Sequence, residues 1–177
     1  PSRTVKNTDV AYGLRLIEAA LSLATKKDNP RYWIYHSTHS YALFENGKFE
    51  EAVAAGNRSI EAAPEGEKKS AVYFNNHVLA NMSNHHNEQA WPMVDPNRED
   101  KNTDVGLALD LIRKAAEWTP DNPGAIDTLA WALYENGLFD EAIASSERAL
   151  ALAPEEDKEA YGDSLAWLKE MAAEARK

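Results

Sequence analysis

Two stretches of the 177-residue chain decide its fold: Ala42-Leu43-Phe44-Glu45-Asn46-Gly47-Lys48-Phe49-Glu50-Glu51-Ala52 and Ala132-Leu133-Tyr134-Glu135-Asn136-Gly137-Leu138-Phe139-Asp140-Glu141-Ala142. They agree in size and polarity at nearly every position, with a glycine at the same place and an aromatic ring two residues after it. Glycine has no Cβ, so it accepts the backbone angles that a tight turn between helices demands. Each stretch therefore predicts the end of one helix, a turn at Gly47 or Gly137, and the start of the next.

The likeness continues outward. Asn7-Thr8-Asp9-Val10 recurs as Asn102-Thr103-Asp104-Val105, and Leu14, Leu16 and Ile17 answer to Leu109, Leu111 and Ile112. Asp28-Asn29-Pro30 recurs as Asp121-Asn122-Pro123, and Ala63-Pro64-Glu65 as Ala153-Pro154-Glu155. The chain thus holds a duplicated unit, 7–82 and 102–177, within one repeat domain spanning 1–177. Val10, Leu14, Ile17 and Leu21 step by three and four, as do Leu107, Leu111, Ala115 and Trp118, which is the helical period. Thr8 and Thr103, or the Asn before each, are placed to cap these helices, with Asp9 and Asp104 complementing the positive end of the dipole. Proline suits a first helical turn, so Asp-Asn-Pro separates two helices, and Pro64 and Pro154 close later ones. Eight helices are predicted, at about 8–26, 30–46, 49–63, 67–83, 103–118, 123–136, 139–153 and 156–175. The polar, proline-bearing segment 83–101 is predicted to be an inserted loop, tied down in part through Trp91, Pro92, Met93 and Val94.

Composition points the same way and closes off several functions. Ala, Leu and Glu are abundant while Val and Ile are sparse, which favours helix over strand. A net charge of −10 and a pI near 5.0 oppose binding to nucleic acid or to an anionic membrane. The absence of cysteine removes disulfides, thiolate metal sites and cysteine nucleophiles. No apolar run approaches the length needed to span a bilayer. The chain begins at Pro1 rather than Met and is expected to be a piece of a longer protein, with its compartment left open.

The segment from Pro123 to Pro154 resembles a tetratricopeptide repeat. It has the large-then-small pair of the first helix at Leu129 and Ala130, and the turn glycine and following aromatic at Gly137 and Phe139. Small residues of the second helix stand at Ala142 and Ala149, before the closing Pro154. Trp33 to Pro64 matches more loosely through Gly47, Phe49, Ala52 and Pro64, and departs at His36, His39 and Gly56, where the family has bulky apolar residues. The resemblance implies an all-α fold, a right-handed superhelix of antiparallel helix pairs, with first helices lining a concave face. It also implies a non-catalytic interaction module, with no cofactor and no metal, that binds a peptide or protein segment or another domain of its parent chain.

Phasing against the matched repeat places Tyr41, Phe44, Glu45, Asn75, Asp127, Trp131, Tyr134 and Tyr161 on that face as a peptide-binding groove. Aromatic rings anchor apolar side chains of a ligand, and an Asn can pair with a peptide amide. The Lys, Asn and Arg that let some family members clamp a C-terminal carboxylate are absent: Ser37, Tyr41, Val72, Gly124 and Thr128 stand there instead. With Glu45, Asp127 and Glu135 as acidic groups, an apolar or mildly basic segment is the expected ligand.

Two other functions compete: a structural spacer or dimerisation array, and a small helical metal-dependent enzyme using His36, His39 and His77. Three imidazoles can hold zinc. Yet His36 and His39 fall at packing positions of the family, so neutral histidines satisfied by hydrogen bonds between helices are expected. No nucleophile elbow and no glycine-rich phosphate loop occurs, and no catalytic residue is assigned.

Overall fold

The computed structural model describes residues 9–24 and 29–177. They form eight α-helices: α1 Val10–Leu23, α2 Tyr32–Glu45, α3 Phe49–Ala62, α4 Lys68–Val94, α5 Val105–Trp118, α6 Pro123–Glu135, α7 Phe139–Leu152 and α8 Lys158–Ala175. Among the described residues there is no strand. The chain packs as two compact units divided between Asn81 and Met82, inside α4. In the first, α1 packs on α2 and α2 on α3; in the second, α5 packs on α6, α6 on α7, and α8 on both α6 and α7.

The duplicated turn is the same structure twice. Gly47 and Gly137 have φ of 72° and 76°, the left-handed region that only glycine enters without strain. The N–H groups of Lys48 and Leu138 reach back to the carbonyls of Leu43 and Leu133, each at 2.9 Å, closing a Schellman turn. The preceding asparagines tie in the neighbouring helix. Asn46 Nδ2 donates to the Val10 carbonyl at 3.0 Å, and Asn136 Nδ2 to the Val105 carbonyl at 2.9 Å. So the repeated Asn serves the repeated Val, and each hairpin is stapled to the helix before it.

Helix ends follow local chemistry, with one reassignment. Asp9 and Asp104 are themselves the caps: their carboxylates accept from the N–H groups of Tyr12 and Leu107, both at 2.9 Å. Thr103 instead donates its hydroxyl to the Met93 carbonyl at 2.6 Å, while Asn7 and Thr8 lie outside the described residues. Asn122 caps α6, accepting from Gly124 N–H at 3.1 Å, with Pro123 in the first turn. Its counterpart Asn29 accepts from Arg31 N–H at 2.9 Å; α2 starts at Tyr32, and Asp28 is outside the described residues, as are 25–26 of the helix expected over 8–26. Pro64 and Pro154 follow the last residues of α3 and α7, as expected of closing prolines, and each also opens a single 3-10 turn, Glu65–Glu67 and Glu155–Asp157.

The inserted loop expected over 83–101 is overturned for its first two thirds. α4 runs on from Ser83 to Val94, and only the segment between Val94 and Val105 is non-helical. The buried positions are Ala71, Asn75, Val78, Met82, Ser83, His86, Ala90 and Val94, a helical period in which polar side chains take core places. Ser83 is satisfied by the Thr119 hydroxyl, which donates to it at 2.6 Å, and the His86 ring stands edge-on to Trp118 at 4.8 Å. Burial with partners overrides the poor helix propensity of Ser-Asn-His-His-Asn. Pro92 removes the hydrogen bond to the Glu88 carbonyl, and both residues are on the exposed side of the helix, where water can replace that bond. Trp91 packs half-buried against the core of the second unit, as expected of the anchor of this segment.

Candidate functional site

In the second unit, α6 and α8 bring together Asp127, Trp131, Tyr134 and Tyr161. Trp131 Nε1 donates to Ser164 Oγ at 3.1 Å, and Ser164 Oγ donates to Asp127 Oδ1 at 2.9 Å. Asp127 and Trp131 are four apart and share one helix face, so a single hydroxyl on α8 can engage both. Burial pushes the Asp127 carboxyl above the usual range, and the hydrogen bond from Ser164 works against that rise. The Tyr161 phenol is likewise raised, first by burial and then by the charges of Asp127 and Asp157. These groups surround an open cleft of about 300 Å³ lined by Asp127, Asp157, Ala160 and Tyr161. Two carboxylates beside a phenol and an apolar wall suit a ligand that carries a positive charge on an aliphatic stem.

Trp131 does not line this cleft. It is 2% exposed, edge-on to Trp167 at 5.4 Å and to Tyr134 at 6.1 Å, and it acts as the packing post between α6 and α8. Its expected role as a ligand anchor is therefore corrected: a ring with no open surface cannot bury a ligand side chain. Tyr134 remains half-exposed, its ring tilted on Phe139 at 5.4 Å. Glu135 is corrected as well. Arg98 holds it with a two-pronged bridge, Nη1 to Oε1 at 3.0 Å and Nη2 to Oε2 at 2.9 Å, so its charge is neutralised internally. The Glu135 hydrogen bond also holds the Arg98 guanidinium above its ordinary value. This bridge pins the loop after α4 to the end of α6.

In the first unit, Tyr41 and Phe44 meet edge to face at 5.9 Å on the exposed side of α2, Phe44 leans on Phe49 at 6.3 Å, and Glu45 is exposed. Asn75 is buried, and its expected pairing with a ligand amide is corrected. A Cβ at Gly56 would lie 1.8 Å from Asn75 Oδ1, so the missing side chain of Gly56 is the space that Asn75 occupies. That explains the departure from the family at Gly56.

His36 and His39 sit half-buried on α2, and burial is the main cause that lowers both below the ordinary imidazole value. Both shifts favour the neutral form, but the expected hydrogen bonds are not there: His36 Nδ1 and both ring nitrogens of His39 lack a partner within bonding distance. Glu18 comes to 3.9 Å of His39 Nε2. His77 is exposed, and among the described residues no group of three His, Asp or Glu side chains converges as a metal site would require. Ser164, Asp157 and Arg98 were not legible as site residues. Their partners lie far along the chain, and an isolated polar residue on an amphipathic helix carries no mark of what faces it.

Residues 124–156 match the tetratricopeptide repeat family. Among solved structures, MamA from residue 41 to its end, from Desulfovibrio magneticus RS-1, is similar over 97% of this chain and 98% of that chain, at 13% identity and a TM-score of 0.28. No curated protein matches the sequence. Among the described residues no helix is long and apolar enough to cross a membrane.

Proposed function

We propose that this chain, which carries a tetratricopeptide repeat at 124–156, is a non-catalytic interaction module for a protein or peptide segment that presents a basic side chain next to an apolar one. The repeat is itself a protein-interaction unit, which supports the general class. The cleft between α6 and α8 supports the ligand chemistry. Asp127 and Asp157 receive the cation, and the Tyr161 ring lies along its aliphatic stem. Tyr41, Phe44 and Glu45 offer a similar aromatic and acidic surface in the first unit. The hydroxyl relay fits a binding role: it runs from the Trp131 indole N–H through Ser164 to Asp127 and holds these side chains in place.

The test is titration calorimetry with a set of Lys- and Arg-containing peptides and their Gln-substituted counterparts. Basic peptides are expected to bind, with affinity falling as salt rises. Asp127→Asn, with its fold verified by circular dichroism, should weaken them several-fold while Tyr41→Ala changes them less. Equal binding of basic and Gln-substituted peptides would remove the cleft from consideration.

A further inference from the structure

We propose that the cleft between α6 and α8 takes a lysine side chain in preference to an arginine, and that Ser164 sets this choice by occupying one oxygen of Asp127. The choice presupposes that the cleft binds a basic side chain at all, as proposed above.

The Ser164 hydroxyl has its direction imposed from behind. An indole N–H can only donate, so the Trp131 Nε1–H, at 3.1 Å, takes up one lone pair of Ser164 Oγ. The single Ser164 proton is then directed to Asp127 Oδ1, at 2.9 Å. Trp131 is 2% exposed, so that side of Oδ1 is closed to a ligand. Asp127 is anchored through one oxygen, and Oδ2 is the oxygen left for the cleft.

A ligand therefore meets separate acceptors rather than a matched pair. They are Asp127 Oδ2, the Asp157 carboxylate and the Tyr161 phenol oxygen, on residues that line the same cleft. An ammonium carries three donors that turn about the end of its stem, so it can reach single oxygens on different side chains. A guanidinium draws its advantage from a rigid fork that fits both oxygens of one carboxylate, and at Asp127 one of the two is taken. Asp157 keeps both of its oxygens but stands exposed, where an ion pair gains little. The cleft is open, so a strongly hydrated ammonium keeps part of its water on entering. The start of α6 offers no rival site for an anion. Asn122 Oδ1 accepts from the N–H groups of Gly124 and Ala125, and Pro123 has no N–H to offer.

The relay belongs to the second unit. The repeat sets Ser37, Glu67, Ala71 and Phe74 against Asp127, Asp157, Tyr161 and Ser164. Ser37 shares a 2.6 Å contact with the Ser59 hydroxyl, and the Phe74 side chain has no polar atom to pass a hydrogen bond on. The first hairpin forms without an aspartate, a phenol or a serine at these places. The three are thus additions to the repeat and not conditions of it.

The experiment is a nuclear magnetic resonance titration, which reads weak affinities, with three short peptides identical but for one position. That position is Lys, Arg or Gln between two leucines, and each peptide is acetylated and amidated so that no terminal amine competes. The wild-type chain is expected to bind the Lys peptide about fivefold tighter than the Arg peptide, a difference of one modest charge-assisted hydrogen bond, and the Gln peptide most weakly. Ser164→Ala, its fold verified by circular dichroism, should bring the ratio of Lys to Arg affinity towards one. Ser164→Thr keeps a hydroxyl and should keep the ratio. Arg binding as tightly as Lys to the wild type, with both above Gln, overturns the selection and leaves the basic-side-chain site standing. Three equal affinities overturn that site and the selection with it. An unchanged ratio in Ser164→Ala overturns the role of Ser164, and the wild-type comparison decides the selection even if that variant fails to fold.

Discussion

The hairpins α2–α3 and α6–α7 share one backbone design and differ in what fills it. Ser40, Ser59 and Gly56 of the first stand where Ala130, Ala149 and Ser146 stand in the second; His36 and His39 stand where Ile126 and Leu129 do. The first hairpin therefore crosses through hydroxyls. Ser40 donates to the Ala52 carbonyl at 2.7 Å, Ser59 to the Trp33 carbonyl at 2.9 Å, and Ser37 and Ser59 share a 2.6 Å contact. The second crosses through fully buried alanines, with Ala130, Ala142 and Ala149 at 0% exposure. Turn geometry is thus carried by few positions, the glycine and asparagine above all. The crossing tolerates either apolar contact or paired polar groups, provided that volume is kept. The two hairpins also differ in their cover: Trp131 is buried beneath Trp167 and Ser164 of α8, while its counterpart Tyr41 is 41% exposed.

That last contrast predicts the largest difference. Trp131→Ala removes a buried ring together with its hydrogen bond to Ser164, and should cost about 3–5 kcal/mol. Tyr41→Ala at the equivalent place should cost about 1 kcal/mol or less. Urea unfolding followed by circular dichroism measures both, and similar midpoint shifts would break the assignment of Trp131 to packing.

A smaller effect sharpens the crossing. Gly56→Ser copies Ser146 but drives its Cβ into Asn75, and should cost roughly 1–3 kcal/mol. Asn75→Leu, which copies Leu165 of the second unit, clears the amide from that space. The double variant should then recover much of the loss, a coupling that a double-mutant cycle detects. Strictly additive costs would show that Asn75 does not depend on the missing side chain.

The smallest expected effect concerns the histidines. Burial is the chief cause that lowers His36 and His39 in the folded chain; Arg58 adds to the lowering at both, and Glu18 opposes it at His39. The unfolded chain takes up protons at the ordinary imidazole value of 6.5, before the folded chain does. Their share of stability is therefore intact above that pH and is lost as the pH falls from there through the lower folded values. His36→Ile with His39→Leu, as in the second hairpin, should flatten this loss between about pH 7.5 and about pH 5. It should also add roughly 1–2 kcal/mol at neutral pH by removing unpaired buried nitrogens. A wild-type midpoint that does not move on acidification would contradict the burial of these rings.

Local chemistry is visible in a sequence when a position constrains its own backbone. Gly47 and Gly137, the Asn-Pro start of α6 and the repeated apolar steps are of this kind, and the duplication doubled each signal. The helices over 49–62, 105–118, 123–135 and 139–152 were legible within a residue or two for that reason. Residues 83–94 were not, because their helical period is written in Ser83 and His86 as well as in Ala90 and Val94, and a polar residue declares itself buried only through its partner. Thr119 and Trp118 are those partners, and they lie across a helix pair rather than along the chain. The same limit separated candidate from observed site residues. Aromatic positions could be assigned to a helix face, but whether a face is open depends on the next helix, and α8 buries Trp131 while it leaves Tyr134 and the Asp127–Tyr161 cleft accessible. By itself the sequence determined the helices, their turns and their repetition, since those follow from backbone freedom and residue spacing. Only the tertiary structure decided which polar groups are paired, which rings are covered and where a ligand can reach, since those depend on distances between residues that the chain order keeps apart.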